Sequence, residues 1–335
     1  MDSDNRPPNE VTTTLVSPAA DHGFLRPAWF DMLARHCFAG HRLLMERVDL
    51  NGASVILPLV DDGDRLSALA NYYSFSYGPM FNGTEDPGRR IALLRELAVD
   101  LRKSYRRISL YPLLDDDGTA QMLQRAFRSA GWIALLTDQN SNHYLNVDGR
   151  DFAAYWARRP GALRSSVRRK SSRSRAYEFA IHPMIDDELW NDYRAVYGAS
   201  WKNAEPYPAM VRAIAEEAMS RGALRLAFLR REGVPVAAQI WTIEGDTACI
   251  HKIAHDSAED SGSPGTLLSC HMFEHMIDRE KVAHIDYGTG GNAYKGNWME
   301  RQRPMLRLDC FDPRRATTWI PAVRTRISQL VGRPS

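Results

Sequence analysis

The sequence predicts an α+β protein built as two similar halves, each a mixed, mostly antiparallel sheet flanked by helices. Three observations carry this. A chain of 335 residues is longer than one hydrophobic core comfortably organises. Three runs, LRLAFLR, PVAAQIWTIE and TACIHKIAHD, follow one another with only short turns at Arg231 to Val234 and Gly245-Asp246, the pattern of an antiparallel meander. The order of elements before residue 150 also repeats after it.

Four segments follow from that division: a disordered tail over 1–23, an N-terminal half over 24–149, a C-terminal half over 150–312 and a terminal helix over 313–335. The tail is rich in Pro, Asp, Asn and Thr without periodicity. Two apolar-rich runs, RLLMERVDL and ASVILPLV, flank Asn51-Gly52, a dipeptide suited to a type I′ hairpin turn. Apolar residues at Ile91, Leu94, Leu97, Ala98 and Leu101 give a helix from Arg89 to Tyr105. A strand RISLYP, a helix around Gln121 to Ala130 and two strand runs, WIALL and HYLNV, complete this half.

The second half opens with a basic helix, roughly Asp151 to Ser174, interrupted at Pro160-Gly161, and continues with strand YEFAIH and helices around Glu188 to Tyr197 and Ala209 to Ser220. After the meander, the loop DSGSPG opens helix TLLSCHMFEHMIDRE, and strands AHIDYG and MLRLDCF enclose a short helix. The last residues place Trp319, Ile320, Val323, Ile327 and Leu330 at helical spacing.

The composition, 44% hydrophobic and 25% charged, is that of a folded protein with a sizeable core. No run approaches the twenty or so apolar residues of a membrane span, and the start lacks a signal-peptide pattern, so the expectation is a cytoplasmic protein. Four scattered cysteines, Cys37, Cys249, Cys270 and Cys310, form no CxxC pair. The net charge of +2 conceals a run over 158–175 with eight basic residues and no acid. An anionic partner for that run is expected.

The strand pair around GVPVAAQIW, the helix start SPGTLL and the segment IDYGTGGNAYKGNW are the residues that carry a resemblance. On them the chain from about residue 150 to 311 resembles the GNAT superfamily, in the branch called BioF2-like or CelD-like, itself related to the FemAB transferases. The first half matches more loosely, through NYYSFSYGPM. Members of that branch commonly look like two fused GNAT-type folds. The resemblance implies tandem GNAT-like halves and an N-acyltransferase that moves an acyl group from acyl-CoA, acetyl-CoA for example, to an amine by direct attack. Where the branch often has an acid, this chain has Asn292.

Such a reaction requires donor binding, a neutral amine and oxyanion stabilisation. By that analogy the strand Thr247 to Asp256 lies beside the donor, with the contact near Lys252 to Ala254, centred on Ile253. The loop with Gly262, Ser263, Gly265 and Thr266 leads into a helix whose first-turn N–H groups and dipole suit a pyrophosphate; an ordinary helix-start loop is the alternative. Asp286, at a strand end beside a glycine-rich turn, is the candidate base or amine-orienting group. Tyr294 is the candidate proton donor to the leaving thiolate, and Lys295 a partner for Asp286 or a donor phosphate. The alternative is that Asp286 caps the turn and the other two begin a helix.

Arg168, Arg169 and Lys170 are expected to face an anionic acceptor, or the tRNA that FemAB relatives use as aminoacyl donor. Trp201 and Tyr207 are candidates for the acceptor pocket. The acceptor itself is expected to be a small molecule or a cell-envelope precursor, and no metal is expected. His271 and His275 in HMFEH match an inverted zinc-protease motif, but on the helix that should cradle the donor. His251 and His255 share a strand face yet stand too far apart for one metal, at roughly 13 Å. Two other readings stay open: a tRNA-dependent FemAB-like transferase, and a non-catalytic polyanion-binding protein that uses the basic helix.

Overall fold

Asn51 and Gly52 take φ values of 50° and 77°, so the expected type I′ turn closes a hairpin between β1 (Arg42–Leu50) and β2 (Ala53–Asp61). The computed structural model describes residues 23–114, 116–171, 177–290, 293–318 and Val323. The expected tail, apart from Gly23, lies outside the described residues. So do Trp319, Ile320, Ile327 and Leu330 of the expected terminal helix, together with Arg173, Arg175 and Asn292.

Before the hairpin, α1 (Pro27–His36) begins on a proline, where no amide donor is needed, and buries Trp29, Phe30, Met32 and Leu33. After it come β3 (Arg65–Ala68), β4 (Met80–Asn82) and α2 (Pro87–Ser104). Asp86 caps α2 by accepting from the Arg89 amide at 2.7 Å. Then follow β5 (Arg107–Leu114), α3 (Thr119–Ser129) and β6 (Ile133–Asn146).

In the second half the basic segment is two helices, α4 (Phe152–Ala157) and α5 (Gly161–Ser171), split at Pro160. Then come β7 (Tyr177–His182), α6 (Asp187–Gly198), α7 (Pro208–Ser220) and the meander β8 (Leu224–Arg231), β9 (Val234–Glu244) and β10 (Thr247–His255). A 3₁₀ turn (Ser257–Gly262) leads into α8 (Pro264–Glu274), which runs on through a π turn (His275–Arg279). The chain continues through β11 (His284–Thr289), α9 (Ala293–Trp298) and β12 (Arg301–Phe311).

All the strands join one sheet in the order β1-β2-β3-β5-β12-β6-β11-β10-β9-β8-β7, with β4 on β2. Only β3 with β5 and β10 with β11 pair in parallel, so the mixed, mostly antiparallel α+β class expected from the sequence is what forms. Strand β12 belongs to the second half by position, yet it inserts between β5 and β6 of the first. That insertion makes β6 a single strand of 14 residues rather than the two expected. Its polar middle, Asp138 to Ser141, is held by ladder bonds to β12 rather than by a buried face.

Behind the second half, Tyr155 stacks on Phe273 at 5.5 Å and Phe273 on Trp298 at 4.9 Å, while Trp241 meets Phe273 edge-on at 5.4 Å. Such aromatic pairs contribute roughly 0.5–1.5 kcal/mol each beyond area burial. They fix α8 and α9 against the meander, and these are the elements that line the site.

Candidate active site

Strands β10 and β11 pair only from Thr247 to Cys249 against His284 to Asp286 and then part. Strand β10 stays on β9 as far as His255, with a register shift between Ile250 and Lys252 that makes His251 the extra residue of a bulge. A bulge increases local twist and re-aims side chains, and here it coincides with the point where the two strands diverge. Within the gap lies a cleft of about 440 Å³. Strand β10 contributes Ile250, His251, Ile253, Ala254 and His255, β11 contributes Tyr287, and the edge of β10 between them has no strand partner.

The start of α8 forms one end of this cleft through Gly265 and Thr266. Gly262 and Ser263 do not line it. Side-chain packing explains both glycines: a Cβ on Gly265 would lie 2.8 Å from His255 Nδ1, and one on Gly262 would lie 2.4 Å from Tyr177 Oη. Ser263 precedes the helix in the left-handed region, φ 55°, and its side chain does not cap it. His255 is fixed in turn by Asp260, 2.7 Å from its Nε2, and by the ring of Trp201, with centroids 4.6 Å apart.

Tyr294, on α9, lines the cleft beside α8 and ends a buried chain of hydrogen bonds. Trp241 Nε1 donates to Gln239 Oε1 at 2.8 Å, and Gln239 Nε2 donates to Ser269 Oγ at 2.8 Å. Ser269 Oγ lies 3.0 Å from Tyr294 Oη. Either hydroxyl can donate in this contact, since a serine oxygen that accepts from Gln239 keeps a second lone pair. Burial raises the Tyr294 pKa, so the phenol is protonated at neutral pH. Neither Gln239, though it lies in the segment GVPVAAQIW, nor Ser269 is singled out by the sequence, because their roles depend on a meeting that no local pattern shows.

Asp286 differs from the free base expected. It is buried and does not line the cleft: its carboxylate accepts from Asn142 Nδ2 at 2.6 Å, the Gly288 amide at 2.7 Å and Arg303 Nη2 at 2.9 Å. Burial raises its pKa against the opposing pull of Arg303 and Asn142. The alternative reading, a carboxylate that fixes the glycine turn, is the one its contacts match. Nor does Lys295 form an ion pair with Asp286. Its Nζ donates to the carbonyl oxygens of Tyr287 at 2.9 Å and Thr289 at 2.5 Å, and burial lowers its pKa to about 8.

Arg168 and Arg169 are exposed on α5, outside the cleft. Lys170 donates to the Ser261 carbonyl, which ties α5 to the turn before α8. Arg159, from the same basic run, is buried instead, bonded to Glu300 and to the Trp298 carbonyl. Trp201 is 58% exposed and lines the cleft, whereas Tyr207 does not. The two histidines of HMFEH face different surroundings, His271 stacked on Phe179 and His275 bonded to Glu280 at 3.0 Å. His251 bonds Thr242 Oγ1 through Nε2 at 2.9 Å, and burial lowers its pKa to about 3, so it is neutral.

A second chamber of about 440 Å³ adjoins the first and shares Trp201 and Lys202 with it. Its polar group is Glu205, which accepts from Lys252 Nζ, from Tyr73 Oη and, at 3.1 Å, from Tyr72 Oη. Burial pushes the Glu205 carboxyl up, but these donors outweigh it and hold its pKa below the ordinary value. Tyr72 and Tyr73 come from the first half, in the NYYSFSYGPM segment. Phe75 of that segment packs on Gly288, whose hypothetical Cβ would lie 3.0 Å from the ring. The sequence singled out these segments without showing that they meet.

Residues 161–296 match the family model of the acetyltransferase (GNAT) domain. That region, about two fifths of the chain, is what is similar to a GNAT domain. The matched region contains β10, α8 and β11, so the strand gap and the helix start that border the cleft both fall within it. No curated protein sequence matches the chain. Among solved structures the chain is similar to FemX, with a TM-score of 0.60, 10% identity and coverage of 92% of this chain and 94% of that one. It is also similar to a domain described as the C-terminal part of a lysylphosphatidylglycerol synthetase from Agrobacterium fabrum, with a TM-score of 0.56, 12% identity and coverage of 89% and 91%. The L-PGS of Bacillus licheniformis gives a TM-score of 0.55 at 12% identity, over 93% and 98%. At these identities the likeness is one of fold. Among the described residues no helix is long and apolar enough to cross a membrane.

Proposed function

We propose that this protein is an N-acyltransferase that takes its acyl group from acyl-CoA, with the reaction in the cleft between β10 and β11. The observation that carries the reading is the strand gap itself. Among the described residues it leaves an unpaired edge of β10 that runs towards the start of α8, with Tyr294 lining the same cleft beside α8. An extended pantetheine arm suits an unpaired strand edge, and backbone amides near Ile253 suit the thioester oxygen.

In this reaction the acceptor nitrogen attacks the thioester carbon, the C–S bond breaks and the thiolate takes a proton from Tyr294 Oη. The surplus proton on nitrogen leaves to water, and water returns a proton to the Tyr294 phenolate, so that the phenol is restored for the next turnover. The positive charge of Lys295 at the cleft disfavours an ammonium and so favours the neutral, nucleophilic amine. Asp286 acts as a positioning residue, since it holds the Gly288 turn and Arg303. The acceptor enters from the second chamber, past Trp201 and Lys202.

Calorimetric titration with acetyl-CoA and free CoA tests this. Saturable binding supports it, and no binding to either removes it. The exposed Arg168 and Arg169, on the helix that Lys170 ties to the turn before α8, favour a second reading with an aminoacyl-tRNA donor. That reading requires tRNA binding that falls steeply with salt and with replacement of both arginines.

A further inference from the structure

The charges lining the two chambers do not balance. Among the described residues no Asp or Glu lines the cleft, while Lys202 and Lys295 both do. The carboxylate of the second chamber, Glu205, is already engaged by Lys252 and two tyrosines. Asp286 is held by Arg303 and Asp260 by His255. Lys202 makes no ion pair among the described residues; its ammonium lies 5.7 Å from the ring centres of both Tyr197 and Trp201. Aromatic faces offset only part of the cost of burying a cation. Burial, then Lys252 and Lys295, lower the Lys202 pKa to about 8 against the pull of Glu205.

Lys202 stands on the wall that the chambers share, and the second chamber lacks both the β10–β11 gap and the start of α8. An anion seated there belongs to the acceptor rather than to the donor. We propose that Lys202 binds an anionic group, a carboxylate or a phosphate, carried by the acyl acceptor, so that the substrates are amines bearing such a group in the same molecule. The inference rests on the acyltransferase reading for the identity of the other ligand.

The test is NMR of the lysine side chains in the intact protein, free and saturated with CoA, with the Lys202 signal assigned by Lys202→Met. Inorganic phosphate and β-alanine should each raise the Lys202 titration midpoint, by about one unit, in the CoA complex as in the free protein. Propylamine should leave it in place. No response to phosphate or β-alanine, or an equal response to propylamine, overturns the proposal. So does a shift produced by CoA alone that blocks the phosphate response, because Lys202 then serves the donor. If CoA fails to bind while phosphate and β-alanine still move Lys202, the acyl-CoA reading falls and the anion seat stands.

Discussion

Arg303 donates through Nη2 to the Asp286 carboxylate at 2.9 Å, and through Nε to Asn142 Oδ1 at 2.8 Å, while Asn142 Nδ2 itself donates to Asp286. These three residues come from β12, β11 and β6, so the triangle clamps three neighbouring strands at the point where the cleft opens. Asp286→Asn removes one of the two carboxylates, the other being Asp116, that compensate the Arg303 guanidinium, and a loss of about 2 kcal/mol of stability is expected. Urea unfolding measures it. An unchanged midpoint with lost turnover would return Asp286 to the chemistry.

Gly265 faces the ring of His255, and a valine there must push that ring from its place between Asp260 and Trp201. Acetyl-CoA affinity should fall about tenfold, the equivalent of 1.4 kcal/mol. Calorimetry reads the change, and an unaltered Kd would show that the donor does not use this end of the cleft.

Lys252 and Glu205 form a buried pair that also receives Tyr72 and Tyr73 from the first half. Glu205→Gln strands the lysine, at a cost of about 3 kcal/mol. Adding Lys252→Met should restore most of the melting temperature. Failure of that rescue would mean that the tyrosine contacts, rather than the ion pair, hold the segment.

Tyr294→Phe keeps the ring and removes the proton. With an amine the wild type accepts, CoA release should slow roughly a hundredfold while acetyl-CoA affinity holds. Ser269→Ala should produce a smaller loss in the same direction. Equal rates for wild type and Tyr294→Phe would exclude the phenol as the proton source.

Asp312 joins α2 to the end of β12 by accepting from Arg102 at 2.9 Å and from Arg314 at 2.8 Å. Burial raises its pKa, but Arg314 and then Arg102 outweigh that and bring it down to about 2. A folded pKa below the unfolded one means that the stabilisation is complete above about pH 4 and is lost as the pH falls through about 2. Thermal melts from pH 5 to pH 2 should show the decline, and Asp312→Asn should flatten it.

Local chemistry made much of the fold legible. Asn51-Gly52 fixed one hairpin through its φ preference, and Gly233 and Gly245, at φ values of 79° and 63°, turn the meander where short loops were expected. The segments SPGTLL and NAYK drew notice because glycine-rich turns beside strand ends expose side chains. What those segments do depends on neighbours distant in sequence. Asp286 stood in such a turn and looked free, yet Asn142 is 144 residues away and removes that freedom. Gln239 and Ser269 occupy ordinary strand and helix positions, and only their meeting makes them a relay.

By itself the sequence determined the α+β class, the repeated order of elements, the basic run and the region that matches the GNAT domain. The first three follow from periodicity, turn chemistry and composition, which act over a few residues at a time, and the fourth from the resemblance carried by GVPVAAQIW, SPGTLL and IDYGTGGNAYKGNW. Only the tertiary structure decided that β12 enters the first half's sheet, that β10 and β11 part after three pairs, and that Lys202 shares two chambers with Trp201. The reason is range: strand partners and buried charge pairs are chosen by the packing of the whole chain, and no local pattern encodes which distant carboxylate reaches which cation.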